Sequence, residues 1–175
     1  MTMRWIAGSG YLSGSGNVFT FSNIPQNFTH LQVRATLRDT WTGGTNQSLS
    51  FQFNGDGGAN YSVHRTFGDG SGSASQGFAS QTAMFQGSIP TATELSNVFG
   101  SIITDISDYT STTKNKTIRS ISGYDKNGGG SIMISSGCWY NTSAVTSITT
   151  YQTAGNAQYS RIDLYGITSS NLTGA

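Results

Sequence analysis

From Phe28 to Arg38 the chain alternates without a break. Leu31, Val33, Ala35 and Leu37 fall on one face of an extended segment, and His30, Gln32, Arg34, Thr36 and Arg38 on the other. Successive side chains leave a strand on opposite faces, so this period predicts a half-buried β-strand; a helix would scatter the arginines through the apolar stripe. Ser22–Asn27, with Pro25, predicts a turn, and Val18–Phe21 a partner strand. Further strands are expected over Leu49–Phe53 (closed by Asn54-Gly55), Tyr61–Phe67, Phe78–Phe85 and Val98–Tyr109. Thr117–Tyr124 and Ser131–Tyr140 flank Asp125–Gly130 as a hairpin, and Ala144–Tyr151 and Tyr159–Ile167 complete the set. Gly68–Ser75 is expected to be the most flexible loop, and Ile89–Leu95 the one place for a helical turn. About eight to ten short antiparallel strands predict an all-β protein, a jelly-roll-like antiparallel β-sandwich. A single sandwich domain is expected over 17–168, preceded by an extended N-terminal arm, 1–16, anchored by Trp5 and Ile6, and followed by a C-terminal tail, 169–175.

Composition sharpens this picture. Charged residues are 10% of the 175-residue chain, against about 25% in an average domain. Glu occurs once and Lys three times, so residues that build long helices are scarce. Aromatics at 11% and the alternating segments supply a core, which excludes a disordered Gly/Ser-rich chain. A formal charge of +1 without a Lys/Arg run argues against direct nucleic-acid binding. No apolar run is long enough for a signal peptide or a membrane span, and Cys138 is alone, so neither an intrachain disulfide nor a Cys-based metal site is expected. These features imply synthesis in a cytosol. The Asn-X-Ser/Thr sequons at Asn27, Asn46, Asn60, Asn115, Asn141 and Asn171 are therefore not taken as glycosylation sites.

Two segments resemble a known pattern. Phe21-Ser22-Asn23-Ile24-Pro25-Gln26-Asn27-Phe28-Thr29-His30-Leu31 and Ser160-Arg161-Ile162-Asp163-Leu164-Tyr165-Gly166-Ile167 resemble the opening and closing motifs, F-x-x-I-P-Q-x-[YF]-T-x-L and S-x-x-x-L-Y-G-I, of a family of tailed-bacteriophage virion proteins. The resemblance spans about 18–40 and 144–167 and is looser between them. It implies a β-sandwich virion component: a capsid decoration protein, a head fibre or a tail-fibre piece. The matched residues make strands and turns and carry no reaction.

No catalytic motif is present. His30 and His64 are the imidazoles of the chain and are expected to be structural. Asp105 and Asp108, the nearest pair of acids, are expected on opposite faces of a strand, unlike the facing carboxyls of a glycosidase. Asn54–Gly58 is expected to be a Gly-rich turn because it lacks the spaced oxygen ligands of a calcium loop, and the Gly8–Gly10 and Gly14–Gly16 stretches lack the Gly-Lys-Ser/Thr of a phosphate loop. No catalytic residue, cofactor or metal is assigned. Among the tryptophans, Trp139 is expected in the core. Trp41, in a Thr/Gly loop, and Trp5 and Ile6, in the arm, are the candidate interface residues.

The expected function is that of a non-enzymatic structural protein on the capsid surface of a virion. It would be a capsid decoration (cement) protein, a homotrimer or other small homo-oligomer that binds the major capsid protein and stabilises the shell, made in the host cytoplasm. The alternative is a tail-fibre or head-fibre module that binds host surface glycans through the loops Asp39–Asn46, Gly68–Gly77 and Asp125–Gly130. The chain length and the absence of repeats or a coiled-coil stalk favour the first.

Overall fold

A computed structural model describes residues 1–14 and 16–169. Among them lie twelve strands and no helix: β1 (Thr2–Gly8), β2 (Val18–Phe21), β3 (His30–Leu37), β4 (Asn46–Phe53), β5 (Tyr61–Gly68), β6 (Ser73–Gln81), β7 (Met84–Pro90), β8 (Gly100–Ile106), β9 (Lys116–Asp125), β10 (Gly130–Trp139), β11 (Ile148–Tyr151) and β12 (Arg161–Thr168). They form an eight-stranded sheet, ordered β1-β12-β3-β8-β9-β10-β5-β6, and a four-stranded sheet, ordered β2-β11-β4-β7. All the pairings are antiparallel, and the sheets pack face to face as a β-sandwich.

The chain crosses between sheets at each step from β1 to β5, and again into and out of β7 and β11. Its two ends interleave in both sheets, an order consistent with the expected jelly-roll-like closure. The β5–β6 and β9–β10 hairpins stay in the large sheet and together extend it by β9-β10-β5-β6 beyond the part that the small sheet matches strand for strand.

The alternation of β3 holds as expected: Leu31, Val33, Ala35 and Leu37 are buried with Ile162 and Leu164 of β12 and Phe51 and Phe53 of β4. Trp139 is buried too, stacked on Tyr61 at 6.3 Å and edge-on to Phe53 at 5.7 Å. The segments that carry the resemblance meet here. β3 pairs with β12, Thr29 N–H donates to Ile167 O, and the Phe28 ring lies where a Cβ on Gly166 would stand, 2.3 to 2.5 Å from its carbons. The Gln26 amide donates to Ile24 O and Val145 O, and the Tyr109 hydroxyl to Pro25 O, which pins the turn before β3.

The strip of the large sheet beyond β8 has a different interior. β7 lies across β8, β9 and β10 and comes within 8 Å of them, Cα to Cα, closer than the roughly 10 Å between stacked sheets. Small and polar residues make this approach feasible. Ser120, Ser122 and Ser135 point inward and are buried, the Ser135 hydroxyl donates to Gln86 Oε1, Ser88 N–H donates to Ser122 Oγ, and a side chain on Gly137 would strike Met84 and Gln86. Gln86 Nε2 and Ser88 Oγ are buried there without a hydrogen-bond partner among the described residues. Further out, the Arg65 guanidinium stands 5.3–5.4 Å from the rings of Phe67, Phe78 and Phe85, and Phe78 and Phe85 pack against the margin of the main core.

Several expectations need correction. The arm is not free. Its first part is β1, an edge strand zipped onto β12, and the pairing continues through Ser9 N–H to Ile162 O and Leu12 N–H to Ser160 O. Phe78–Phe85 is not one strand, because the chain leaves the large sheet after Gln81 and enters the small one at Met84. Ile89–Leu95 forms no helical turn: Ile89 and Pro90 end β7, and the carbonyls of Ala92, Glu94, Leu95 and Val98 all accept from the Arg38 guanidinium and are drawn out of any helical ladder. Gly68–Ser75 is a tight hairpin, held by Asp69 Oδ1 accepting from Ser71 N–H, Ser71 Oγ and Gly72 N–H. Of the expected tail 169–175, residues 170–175 lie outside the described residues.

Gly166→Ala is expected to lower unfolding stability by about 1–3 kcal/mol, because the added methyl overpacks against Phe28, and Phe28→Leu in the same chain should restore part of the loss. Urea unfolding measures both, and a Gly166→Ala protein as stable as wild type would contradict the packing. Ser88→Ala removes an unpartnered buried hydroxyl and should leave stability unchanged or raise it by up to about 1 kcal/mol. A clear loss in thermal unfolding would mean that the hydroxyl is satisfied.

Candidate functional site

The two strands that place serines in the interior place isoleucines outside. On β9, Ile118, Ser120 and Ser122 face inward and Arg119 and Ile121 outward; on β10, Met133, Ser135 and Gly137 face inward and Ile132 and Ile134 outward. An antiparallel sheet with one solvated face normally puts its apolar side chains in and its polar ones out. Here the polarity is inverted in part: serines and a glycine take inward positions and three isoleucines outward ones, while Ile118, Met133 and Trp139 remain inside. Strand pairing then aligns Ile103 of β8, Ile121 of β9 and Ile134 of β10 in one cross-strand row, with Ile132 beside it. Ile121 and Ile134 are each 50% exposed and Ile132 is 59% exposed, on a rigid surface where strand register fixes every spacing.

A polar row runs parallel to it across the same face: Tyr165, Gln32, Asp105, Arg119, Ser136 and His64. Its members hold one another. Gln32 Nε2 donates to Asp105 Oδ1 at 2.7 Å, Arg119 donates to Asp105 Oδ2 at 3.1 Å, and Arg34 Nε donates to Gln32 Oε1 at 2.8 Å. Shallow hollows flank the isoleucines, one of about 600 Å³ reaching from Ile134 to His64 and Arg119, the other of about 460 Å³ between Ile103, Ile121, Ile132 and Tyr124. An apolar strip rimmed by prearranged ion pairs and amides suits adhesion: the centre gains from leaving water and the rim sets the register.

The residues singled out in the sequence do not come together. Trp5 lies on the outer face of β1, 60% exposed and beside Tyr165 of β12. Ile6, at a register shift between Trp5 and Ala7, packs half-buried against the core. Trp41 is half-buried in its loop with its ring against Gly43 and Gly44, and its backbone N–H donates to Asp39 Oδ1. The isoleucine row was not singled out. Its signal in the sequence is odd spacing: Ile118 and Ile121 are three positions apart, so one strand carries apolar side chains on both faces.

The acidic residues serve as structural acceptors. Asp108 lies beyond the end of β8, not within a strand, at a φ of 46°, and is paired with Lys114 at 2.7 Å; its backbone N–H donates to His30 Nδ1. That lysine, above all, keeps the carboxyl below its ordinary value. Glu94 pairs with Lys126 at 2.9 Å. Among the described residues no three His, Cys, Asp or Glu side chains are grouped to hold a metal ion. In the turn Asn54–Gly58, Asp56 receives Trp139 Nε1 at 2.7 Å, Gly58 N–H at 2.9 Å and the Asn60 amide at 3.0 Å. Its oxygens are thus occupied by N–H donors. These bonds, the one from Trp139 foremost, hold its pKa below the ordinary 3.8. No family model matches the chain, and no curated protein or solved structure matches it.

Because the folded pKa of Asp56 is depressed, its contribution to stability is complete above the unfolded value, about 3.9, and fades as pH falls through the folded value. Asp69, held by its hairpin at about 2, and Asp108 act in the same window. The melting temperature should therefore drop below about pH 4. Asp56→Asn should cost about 1–2 kcal/mol at pH 7 and shrink the acid-induced drop without abolishing it. An unchanged pH profile in that variant would remove Asp56 from the account.

Proposed function

We propose that the protein is a non-enzymatic structural component of a bacteriophage virion, a capsid decoration protein that seats the isoleucine row of its large sheet on the major capsid protein and so stabilises the shell. The observation that carries this reading is the partly inverted polarity of β9 and β10, which leaves Ile121, Ile132 and Ile134 on the outer face of a rigid sheet. The resemblance of the β3 and β12 segments to phage virion proteins supplies the setting, and the capsid surface is the proposed location. Burial of the row against a partner would return to these strands the apolar contact that their interior faces give up to serine and glycine. Subunits that bridge neighbouring capsomers as a homotrimer or other small homo-oligomer would oppose opening of the shell by the area they bury. With a formal charge of +1 and rim charges already paired within the subunit, attachment rests on apolar burial and neutral hydrogen bonds, so added salt should weaken it little.

Co-sedimentation of the purified protein with mature capsids that lack it tests the proposal. Saturable binding at a fixed copy number per capsomer is expected, nearly unchanged up to about 0.5 M salt, where the screening length is only several Å. Ile121→Asp and Ile134→Asp place a charge on an exposed position, should keep the melting temperature, and should weaken capsid binding at least tenfold, about 1.4 kcal/mol. Full binding by both folded variants, or no binding by the wild type, would overturn the proposal.

A further inference from the structure

We infer that the opposite margin of the same face, on β1, β12 and β3, is a binding platform for a neutral hexose polysaccharide. Trp5 and Tyr165 are direct cross-strand partners with both side chains outward, and Trp5 is 60% exposed. Tyr11, 73% exposed, continues this aromatic surface along the strand, because Leu12 N–H to Ser160 O holds its segment against β12 and the Arg161 guanidinium lies 6.0 Å from its ring centre. Sugar rings present C–H faces that lie flat on aromatic rings, and tryptophan and tyrosine supply rigid area with a polar edge.

The polar groups among the rings hold one another in place. The Asp163 carboxylate accepts from Arg161 Nε at 2.6 Å, Arg161 Nη2 at 3.0 Å and Trp5 Nε1 at 3.3 Å. The Arg34 guanidinium stands 5.8 Å from the centre of the Tyr165 ring and is tied to Gln32. A hollow of about 270 Å³ opens between Arg34, Thr36, Ile103, Arg161, Asp163 and Tyr165. Gly8 is necessary to this arrangement: a Cβ there would fall 2.1 Å from Asp163 Oδ1 and 3.3 Å from Trp5 Nε1, so any side chain would push the carboxylate off the indole.

Donors and acceptors of both signs in fixed positions match hydroxyl groups, which donate and accept at once. A phosphate-bearing chain would need a cluster of free cations, whereas Asp163 neutralises Arg161 and the Gln32 amide and the Tyr165 ring hold Arg34. Five strand steps separate β1 from β10, and a sheet twists by roughly 20° at each, so Trp5 and Tyr11 look in a different direction from Ile132 and Ile134, although the two surfaces adjoin at Ile103 and Tyr165. The inference is independent of the capsid reading.

Intrinsic tryptophan fluorescence of the purified protein provides the test, since Trp139 is buried and Trp41 half-buried in its loop. The probes are maltohexaose, cellohexaose, and a neutral and an acidic bacterial surface polysaccharide. At least one neutral probe should give a saturable change, and the acidic one none. By calorimetry, Trp5→Ala should weaken binding at least tenfold, Tyr11→Ala severalfold, and Trp5→Phe least, with melting temperatures and capsid co-sedimentation as in wild type. Failure of every neutral probe, or binding that survives Trp5→Ala, overturns the inference. Loss of capsid binding in Trp5→Ala also overturns it and assigns Trp5 to the capsid contact instead.

Discussion

One strand, β7, has to line a strip of the large sheet that the rest of the small sheet does not reach. The large sheet has eight strands and the small one four, so the interior faces of β9 and β10 receive β7 where a wider partner sheet would pack apolar side chains. A single strand can only seal that strip by coming close, and close approach demands small side chains on both sides. Ser120, Ser122, Ser135, Gly137, Gly87 and Ser88 meet that demand. Serine and glycine contribute little apolar area, so the strip is held instead by hydrogen bonds such as Ser135 to Gln86 and Ser122 to Ser88. Ile121, Ile132 and Ile134 of these strands are on the outside, while Ile118, Met133 and Trp139 stay inside, and the surface proposed for docking follows from the width mismatch between the sheets.

The other half of the molecule is conventional, and the reason is visible in β3 and β12. These central strands have a fully apolar inner face, and the motifs that flank them interlock through Phe28 over Gly166 and the Gln26 amide on Ile24 and Val145. The motif residues of the two segments therefore join the opening and closing parts of the sandwich. Such residues are constrained by packing, while the surfaces proposed to meet a partner lie on β9, β10 and β1, outside those segments or at their margin.

Most of the strand framework was legible because it obeys period two with one apolar face. Val18–Phe21 coincides with β2, and the strands of the β9–β10 hairpin agree to within a residue or two at each end. The misses share a physical cause, which is tertiary structure overriding local signal. β1 has a Gly/Ser-rich sequel and no clean alternation, and β12 supplies its order from far along the chain. A helical turn is expected over Ile89–Leu95, but Ile89 and Pro90 belong to β7 and Arg38, distant in sequence, takes the carbonyls of Ala92, Glu94 and Leu95. Of the three residues expected at an interface, Trp5 alone is strongly exposed; Ile6 turns to the core and Trp41 folds onto its own glycines. The isoleucine row was hidden because apolar residues in a strand are ordinarily assigned inward, and which face of β9 is inner depends on β7.

Dividing the two surfaces along one sheet has a further consequence. At the isoleucine row the exposed groups are apolar and the neighbouring charges, Asp105 with Arg119, already satisfy each other, so occupation is driven by loss of water from hydrocarbon and resists salt. At the Trp5–Tyr165 margin, aromatic faces alternate with hydrogen-bonding groups whose orientation is fixed before a ligand arrives, which reduces the ordering that binding would otherwise require. A large, permanent contact and a small, reversible one make different demands on a protein surface. In the two proposals, β9 and β10 would meet the first and the edge strand zipped onto β12 the second. Both depend on the sheet's rigidity, because strand register sets the spacing of the isoleucines and of Trp5 and Tyr165, and the Leu12 N–H bond to Ser160 O holds the Tyr11 segment beside them.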